Sequence, residues 1–219
     1  MATVKKRTYT SAIRTQQAAR TRSLIIEAAA ELFVADGYGA TTIRAIAAAA
    51  GVAPDTVYAT FGSKVRVLTA LIDSRLAPTG APNVMDRDEA MGVRDETDQR
   101  RQMHLLALDM AAVSTRVRPV YEVLRTASAI EPEAREVFAE MEQYRLANMR
   151  RAVAWLESHG LLREPERAAA TLFAIASPDV GRMLCNTLGW SEAEHAAWLE
   201  HVLAAALLVP AATSPPRRR

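Results

Sequence analysis

The sequence predicts an all-α fold of about nine helices, and three observations support this fold class. Alanine is frequent, whereas aromatic residues make up only 5% of the 219 residues, and this composition favours helices. Apolar residues recur at helical spacing, as in the stripe Ile25, Ala28, Ala29, Leu32 and Phe33. No segment shows a convincing strand pattern of alternating polar and apolar residues.

Turn and capping residues divide the N-terminal part of the chain into four helices. We expect these helices at about 16–35, 42–49, 54–61 and 64–76. Gly37 follows the first helix and Gly51 the second, and glycine accepts the left-handed backbone that ends a helix. Pro54 suits the first position of the third helix, because the N–H that it lacks has no partner there. Ser63 is placed to cap the fourth helix.

Longer helices are expected after 77–92, a stretch rich in proline and glycine that indicates a linker. Apolar residues at steps of three and four from Met103 to Val117 predict a helix with one buried face. Pro119 should end that helix. The last helix opens with Ser191 and Glu194, the pattern of a capping box. Two further helices are expected between these, at about 131–158 and 165–176.

Charge is distributed unevenly along the chain. Residues 1–75 carry ten Lys and Arg against five Asp and Glu, whereas the remaining residues carry 17 against 20. A basic head on an acidic body indicates a polyanion such as nucleic acid as a partner of the head. An ordinary solvated basic tail would give the same count, so charge alone leaves both interpretations open.

Other features of the composition argue against several classes of protein. Cys185 is the single cysteine, so no internal disulfide can form, and this suits a reducing cytoplasm. No apolar run reaches the roughly 18 residues of a membrane span. The four histidines do not form a metal-binding pair around a carboxylate, and no glycine-rich phosphate loop is present. We therefore expect no enzyme, no catalytic residue, no metal and no cofactor.

Residues 42–61 fit a helix-turn-helix centred on Gly51. Ala47, four residues earlier, is small enough for the two helices to cross closely. Val57 and Phe61 are one helical turn apart and should face inward. The outer face of the third helix then carries small and polar side chains, which is what a helix in the major groove needs. These outer residues are Asp55, Thr56, Ala59 and Thr60.

Residues 20–75 resemble the DNA-binding domain of the tetracycline-repressor (TetR) family. The resemblance rests on the spacing of "AAAELFVADGYGATTIRAIAAAAGV", "TVYATF" and "GSK". Ala53 and Arg66 depart from the family pattern, at positions where a capping hydroxyl and an acid are usual. The C-terminal part is similar in layout, and its last two helices resemble those that form the family's dimer interface.

This resemblance implies a three-helix helix-turn-helix domain, joined by helix 4 to a larger C-terminal helical domain for ligand binding and dimerisation. The expected segments are a disordered basic arm at 1–15, the DNA-binding domain at 16–76, the helical domain at 77–209 and a disordered tail at 210–219. The implied partners are a (pseudo)palindromic double-stranded operator, a second copy of the chain bound through about 165–208, and an unidentified small molecule. No membrane partner is expected.

The resemblance also implies which residues meet DNA. Thr42 and Arg44 would contact phosphates, and Lys64 would hold a phosphate at the start of helix 4. Asp55 would either accept from a cytosine amino group or simply favour the helix N-terminus. The full predicted contact set is Thr41, Thr42, Arg44, Asp55, Thr56, Tyr58, Ala59, Thr60 and Lys64.

The middle of the chain offers candidates for a ligand pocket. Methionine and aromatic side chains there would line an adaptable apolar pocket, or would simply form the core. The candidates are Met103, His104, Met110, Tyr121, Phe138, Met141, Tyr144 and Arg145, with His104 and Arg145 as polar handles. The sequence thus favours a repressor released by a small molecule. A constitutive DNA-binding regulator without a ligand is the alternative, and a helical enzyme is a remote one.

Overall fold

The computed structural model describes the backbone of residues 4–210 and the side chains from residue 14 onward. Its ten α-helices in this range confirm the all-α fold class. They are α1 (Val4–Ala40), α2 (Ile43–Ala50), α3 (Pro54–Phe61), α4 (Lys64–Leu76), α5 (Asp88–Asp95), α6 (Gln99–Ser128), α7 (Pro132–Glu157), α8 (Pro165–Ile175), α9 (Pro178–Gly181) and α10 (Glu192–Leu207). A 3-10 turn at Val84–Asp86 and a π-helical turn at Arg182–Thr187 complete the elements. No described helix is both long and apolar enough to cross a bilayer.

Helix α1 is longer than the sequence analysis expects. It begins at Val4, within the range 1–15 for which we expected disorder, and the backbone is helical from there. The physical reason is that residues 4–36 contain neither glycine nor proline, so nothing interrupts the helix. Residues 1–3 and the tail at 211–219 lie outside the described residues. Gly37 has a φ of 75° and kinks the chain, as expected of a glycine at the end of a helix.

The caps of α2, α3 and α4 follow the sequence analysis. The Thr42 hydroxyl accepts from the Ala45 N–H, and the Ser63 hydroxyl accepts from the Arg66 N–H. Pro54 opens α3 with no side-chain cap from Ala53. Gly51 is left-handed, with φ 67° and ψ 33°, and lets the chain turn from α2 to α3.

The expectation that Pro119 ends a helix is wrong. Helix α6 runs through Pro119 without a break and ends at Ser128. Interior proline costs a helix roughly 3 kcal/mol. Apolar residues on both sides of Pro119 are buried, namely Val117, Val120 and Leu124. Their burial offsets the cost of the proline.

The segment at 77–92, expected as a linker, is held in place by polar contacts. The Arg87 side chain is buried, and its guanidinium donates to both carboxylate oxygens of Asp109 on α6, each at 2.8 Å. The Tyr144 hydroxyl on α7 accepts from the Val84 N–H at 3.1 Å. Both bonds to Asp109 come from one nitrogen, Nη2, and such charge-assisted bonds are strong, so the segment is held against the longer helices.

The C-terminal helices begin as the sequence predicts. Ser177 caps α9 ahead of Pro178, and Ser191 and Glu194 form both bonds of a capping box at α10. An isolated β-bridge joins Leu162 to Leu208. No strand is present among residues 4–210.

The chain forms two compact units. Unit 1 comprises the residues up to Pro78 together with Pro119–Ala139, and unit 2 comprises Thr79–Arg118 together with the residues from Glu140 onward. In unit 1, helix α1 packs on α2 and α4. Fully buried side chains of unit 1 include Phe33, Ile46, Leu68, Leu71 and Leu124. Those of unit 2 include Met103, Leu156, Leu172, Leu199 and Leu203. The functional division of the chain at residue 77 stays a prediction.

Candidate nucleic-acid interface

Helix α3 presents an exposed polar face beside the α2–α3 turn. Asp55, Ala59 and Thr60 are exposed, Thr56 is half-buried, and the Tyr58 side chain is 53% exposed. The Thr60 hydroxyl donates to the Thr56 carbonyl at 2.7 Å, so it is held close to the helix. The structure therefore brings these five predicted contact residues together on one short helix. Apart from the Tyr58 ring, the side chains of this face are small enough to let a base edge come close.

The opposite face of α3 is fixed to the rest of unit 1. Val57 and Phe61 are buried as predicted, and the small residue Ala47 is buried on α2. The Val52 N–H donates to the Ala47 carbonyl at 2.9 Å and closes the turn between the helices. Because both its entry and its inner face are fixed, α3 is presented as a rigid element, which suits a helix that must fit a groove.

Thr41 does not belong to this face. It is buried, and its hydroxyl donates to the Gly37 carbonyl at 2.8 Å and to the Leu32 carbonyl at 3.2 Å. These carbonyls lie at the end of α1, where helical partners run out. The contact of Thr41 with DNA stays a prediction, and the buried, bonded hydroxyl gives it no support.

Thr42 and Arg44 remain candidates for phosphate contacts. Both are exposed at the start of α2. The Thr42 oxygen already accepts from the Ala45 N–H, so its proton is the part available to an outside acceptor. The position at a helix N-terminus favours an anion, because backbone N–H groups point outward there.

Lys64 is held inside unit 1 and is not presented as a free cation. Its ammonium donates to the Tyr38 carbonyl at 2.9 Å and to the Thr41 carbonyl at 3.0 Å. It also lies 3.9 Å from the centroid of the Tyr38 ring, a cation–π distance. Burial lowers the pKa of Lys64, and the nearby Glu131 carboxylate opposes that shift. Two of its three protons are thus used to join α4 to the end of α1. The phosphate contact of Lys64 stays a prediction, and only its third proton is left for it.

Tyr38 is a residue whose role the sequence analysis missed. Its ring stacks on Phe33 at a centroid distance of 5.8 Å, and its hydroxyl donates to Glu131 at 2.5 Å. Burial and the Glu131 carboxylate raise the pKa of Tyr38 well above its usual range. Nearby, the Ser63 hydroxyl donates to Glu133 at 3.0 Å. The turn before α7 is thereby bonded to the ends of α1 and α4 within unit 1.

Arg22 is a second residue that the sequence analysis missed. It is exposed on α1, and its guanidinium lies 4.6 Å from the centroid of the Phe61 ring at the end of α3. A charge at this place adds to the positive field near α3. The excess of basic residues before Glu27 was the signal that could have pointed to it.

Comparison with known proteins agrees with this geometry. A family model described as "Bacterial regulatory proteins, tetR family" matches residues 25–71, the range from the core of α1 to α4. The chain therefore carries a TetR-family domain at residues 25–71. It is a DNA-binding transcriptional regulator, with α2 and α3 as the helix-turn-helix.

A curated relative and a solved structure match over most of the chain. The Pseudomonas putida protein named "Probable HTH-type transcriptional regulator ArpR" is 26% identical over 176 residues, which cover 77% of this chain and 82% of the relative. The crystal structure of NalD, the secondary repressor of the MexAB-OprM multidrug efflux pump in Pseudomonas aeruginosa, has a TM-score of 0.63. It is 20% identical and covers 86% of this chain and 97% of NalD.

A complex of SmeT with triclosan has the same fold. Its TM-score is 0.66 at 24% identity, with coverage of 91% of this chain and 99% of SmeT. At such identities the structural match establishes the fold alone. The shared fold therefore extends beyond the DNA-binding domain to the C-terminal helices.

The predicted ligand-pocket residues are divided between the two units. Tyr121 and Phe138 belong to unit 1, where their ring centroids are 5.5 Å apart. The others belong to unit 2, namely Met103, His104, Met110, Met141, Tyr144 and Arg145. Met103 is fully buried, as in an ordinary core.

Both predicted polar handles are bonded to other residues of unit 2. His104 is exposed, and its Nδ1 lies 2.7 Å from the Glu200 carboxylate on α10. Arg145 donates to the Phe173 carbonyl at 2.8 Å and its guanidinium lies 3.6 Å from the centroid of the Phe173 ring. Glu142 accepts from it as well. Both side chains connect helices, and their role towards a ligand stays a prediction.

Proposed function

We propose that this TetR-family chain is a repressor that a small-molecule ligand releases from a (pseudo)palindromic operator. The observation that carries the DNA part of the proposal is the exposed face of α3 with its fixed inner face. Tyr58, at 53% exposure, stands out of that face, while Val57 and Phe61 hold the helix from behind. Small residues at Ala59 and Thr60 allow close approach to base edges.

Regulation by a ligand is supported by the size of the helical body and by a relative. SmeT, which shares the fold, forms a complex with triclosan. By linkage, a ligand that releases DNA must bind the free protein more tightly than the DNA complex, by a coupling of roughly 1–3 kcal/mol. A homodimer through about 165–208 would place two copies of α3 on successive turns of the duplex.

Selection of binding sites from genomic fragments with the purified full chain tests the DNA part. We expect recovery of an inverted repeat whose half-sites are about one helical turn apart. Ala59→Glu adds a negative charge to the centre of the α3 face and should abolish recovery through repulsion of phosphates. Ala139→Glu places the same charge on an exposed alanine of α7, and this matched control should recover the same repeat. Equal loss in both variants would contradict the assignment of α3.

Titration of small molecules against the protein–operator complex tests the regulatory part. Triclosan is the first probe because a relative binds it, and a panel of aromatic and aliphatic acids follows. A compound that raises the melting temperature of the free protein should weaken operator binding by about 5- to 150-fold. A tight ligand that leaves operator affinity unchanged would favour the constitutive alternative.

A further inference from the structure

A cluster of polar side chains converges on one glycine inside unit 2. Ser114 and Arg118 lie one turn apart on α6, Gly181 ends α9, and His195 lies in the first turn of α10. A Cβ atom on Gly181 would lie 2.5 Å from Ser114 Oγ, 3.4 Å from His195 Cε1 and 3.5 Å from Arg118 Nη1. The absence of a side chain at Gly181 is therefore what allows the three groups to approach one another.

Several polar atoms of this cluster are buried and have no partner in the described part of the chain. They are Ser114 Oγ, both ring nitrogens of His195, and Nε of the adjacent Arg182. His195 is only 1% exposed, so bulk water does not satisfy its ring. An unsatisfied buried polar group costs about 1–3 kcal/mol, and four such atoms in one place call for a physical explanation.

The charge of the cluster is positive. Among the described residues, Arg118 donates over a long distance of 3.5 Å to the Gly181 carbonyl, which leaves most of its guanidinium donors for another acceptor. Arg182 adds a second cation at the start of the π-helical turn. Burial and the Arg118 charge lower the pKa of His195, while Glu192 on the same helix acts in the opposite direction. A neutral imidazole beside the Arg118 guanidinium offers both a donor and an acceptor.

We propose that Ser114, Arg118 and His195 form a binding site for the carboxylate group of a small organic acid. This inference rests on the proposed ligand-responsive function and names the chemical class of the ligand. A carboxylate supplies two adjacent acceptor oxygens, which match the fork of a guanidinium. The Ser114 hydroxyl and the His195 N–H supply two further donors to the carboxylate oxygens.

The surroundings favour an acid with an apolar body. Leu199, one turn after His195 on α10, is fully buried. The rings of His195 and Trp198 have centroids 6.4 Å apart. The π-helical turn lies directly after Gly181, and such turns are frequent at functional sites because they displace the backbone from regular packing. Low dielectric strengthens the attraction between a bound anion and the guanidinium.

The experiment measures binding at His195 directly, without DNA. Ring resonances of the full-length protein are followed by NMR during titration with sodium acetate, benzoate and octanoate, and His195→Gln assigns the His195 signal among the four histidines. Sodium chloride at equal ionic strength is the control. We expect at least one carboxylate to shift the His195 signal saturably, while chloride does not and the exposed His104 stays unchanged.

Two variants test the residues named. Arg118→Met and Ser114→Ala should each weaken the carboxylate response about tenfold, since each removes one donor. Arg100→Met removes an exposed arginine from the same helix and should leave the response unchanged. Without carboxylate, Ser114→Ala should melt at the same or a higher temperature than the wild type, because its hydroxyl has no partner among the described residues. A purely structural serine would instead lower the melting temperature.

The proposal is overturned if no carboxylate moves the His195 signal beyond the effect of chloride. It is equally overturned if the response persists unchanged in either Arg118→Met or Ser114→Ala. These outcomes are separate from failure of the proposed function. A carboxylate that shifts the His195 signal yet leaves operator affinity unchanged would contradict ligand-released repression alone. A different compound that releases DNA without shifting the His195 signal would contradict this inference alone.

Discussion

The ammonium of Lys64 lies 3.9 Å from the centroid of the Tyr38 ring and donates to the Tyr38 carbonyl at 2.9 Å. It also donates to the Thr41 carbonyl at 3.0 Å, so the first residue of α4 binds the last turn of α1 at two points. Free carbonyls at a helix C-terminus carry partial negative charge and attract a cation. Lys64 is thus a connection between α1 and α4, at the base of the DNA-binding head.

Lys64→Met should lower the stability of the protein. The substitution keeps the length of the side chain and removes the charge, so two carbonyls lose their donor and the Tyr38 ring loses its cation. We expect a loss of about 1–2 kcal/mol in the free energy of unfolding, which corresponds to roughly 2–8 °C in Tm for a chain of this size. Thermal denaturation of the wild type and the variant measures it.

The same variant distinguishes a connecting role from a phosphate contact. If Lys64 only joins helices, the slope of log affinity against log salt concentration should stay nearly unchanged. A direct phosphate contact would lower that slope by about 0.9. A full unit of change with unaltered Tm would restore the role that the family resemblance implies.

Tyr38→Phe should alter the dependence of stability on alkaline pH. The pKa of Tyr38 is raised in the folded protein, chiefly by burial and then by its bond to Glu131, so the folded state keeps the proton. The stability from this group is fully present below about pH 10, the usual tyrosine pKa, and is lost as pH rises beyond it, because the unfolded chain ionises first.

Urea denaturation at pH 8 and pH 11 checks the effect of Tyr38→Phe. At pH 8 the variant should be less stable by about 1 kcal/mol, since the Glu131 carboxylate loses a donor. At pH 11 the difference in stability between the two proteins should be smaller, because only the wild type loses stability through ionisation of Tyr38 in the unfolded chain. A difference that is constant across this range would show that the hydroxyl makes no protonation-dependent contact.

The fold was largely predictable because local signals agree with one another. Gly51 and Pro54 fix the ends of α2 and α3, and Ser191 with Glu194 fixes the start of α10. Each acts within a few residues of its own position, so the sequence is enough to place it. The prediction that Pro119 ends a helix was wrong because the cost of proline is local, whereas the burial that offsets this cost depends on residues distant in the chain.

The candidate sites were less predictable for the same reason. Lys64 and Thr41 lie where the family places DNA contacts, but each donates to a carbonyl of α1 that no spacing rule identifies. No motif in the sequence marks His195, and it is buried beside Arg118 and Gly181. Contacts between residues far apart in the chain decide such roles.

Arg44→Ala should weaken DNA binding on every sequence. Arg44 is exposed, so its removal should change stability by less than about 0.5 kcal/mol. Without its bond to a phosphate, the salt slope should fall by about 0.9, and the affinities for specific and random duplexes should fall alike. Fluorescence anisotropy at several salt concentrations measures both quantities, with Arg150→Ala on an exposed part of α7 as the control.

Asp55→Asn should act differently, because Asp55 lies on the exposed face of α3. If its carboxylate accepts from a cytosine amino group, the amide should change which base is preferred at one operator position, by about 1–3 kcal/mol. If it only favours the helix N-terminus, the variant should bind all sequences equally well or better, since a negative charge near phosphates is removed. Repeated site selection with the variant separates these two interpretations.

His195→Gln should make the protein less sensitive to acid. Burial and Arg118 lower the pKa of His195 in the folded protein. As pH falls below the usual histidine pKa, the unfolded chain therefore binds a proton that the folded chain does not bind. The stability from a neutral buried histidine is present above about pH 6.5, the usual value, and is lost as pH falls below it. Between pH 7.5 and pH 5.5 the wild type should lose more stability than the variant. Equal losses of stability, measured by urea denaturation, would mean that His195 binds a proton as readily in the folded protein as in the unfolded chain.

The proposed homodimer through about 165–208 gives the last prediction. Two large apolar side chains in this range are exposed, Met183 at 48% and Leu188 at 63%. We expect the double variant Met183→Glu and Leu188→Glu to be monomeric, because burial of two carboxylates in an apolar contact is strongly unfavourable. Ile130, 69% exposed and outside the range, offers the matched control Ile130→Glu.

Sedimentation equilibrium at micromolar concentration should give a dimer for the wild type and for Ile130→Glu, and a monomer for the double variant. The monomer should also lose affinity for the operator, since each half-site is then bound independently and the effective concentration of the second head is lost. A double variant that stays dimeric would place the interface elsewhere. A wild-type monomer that still binds a palindromic operator tightly would contradict dimeric binding altogether.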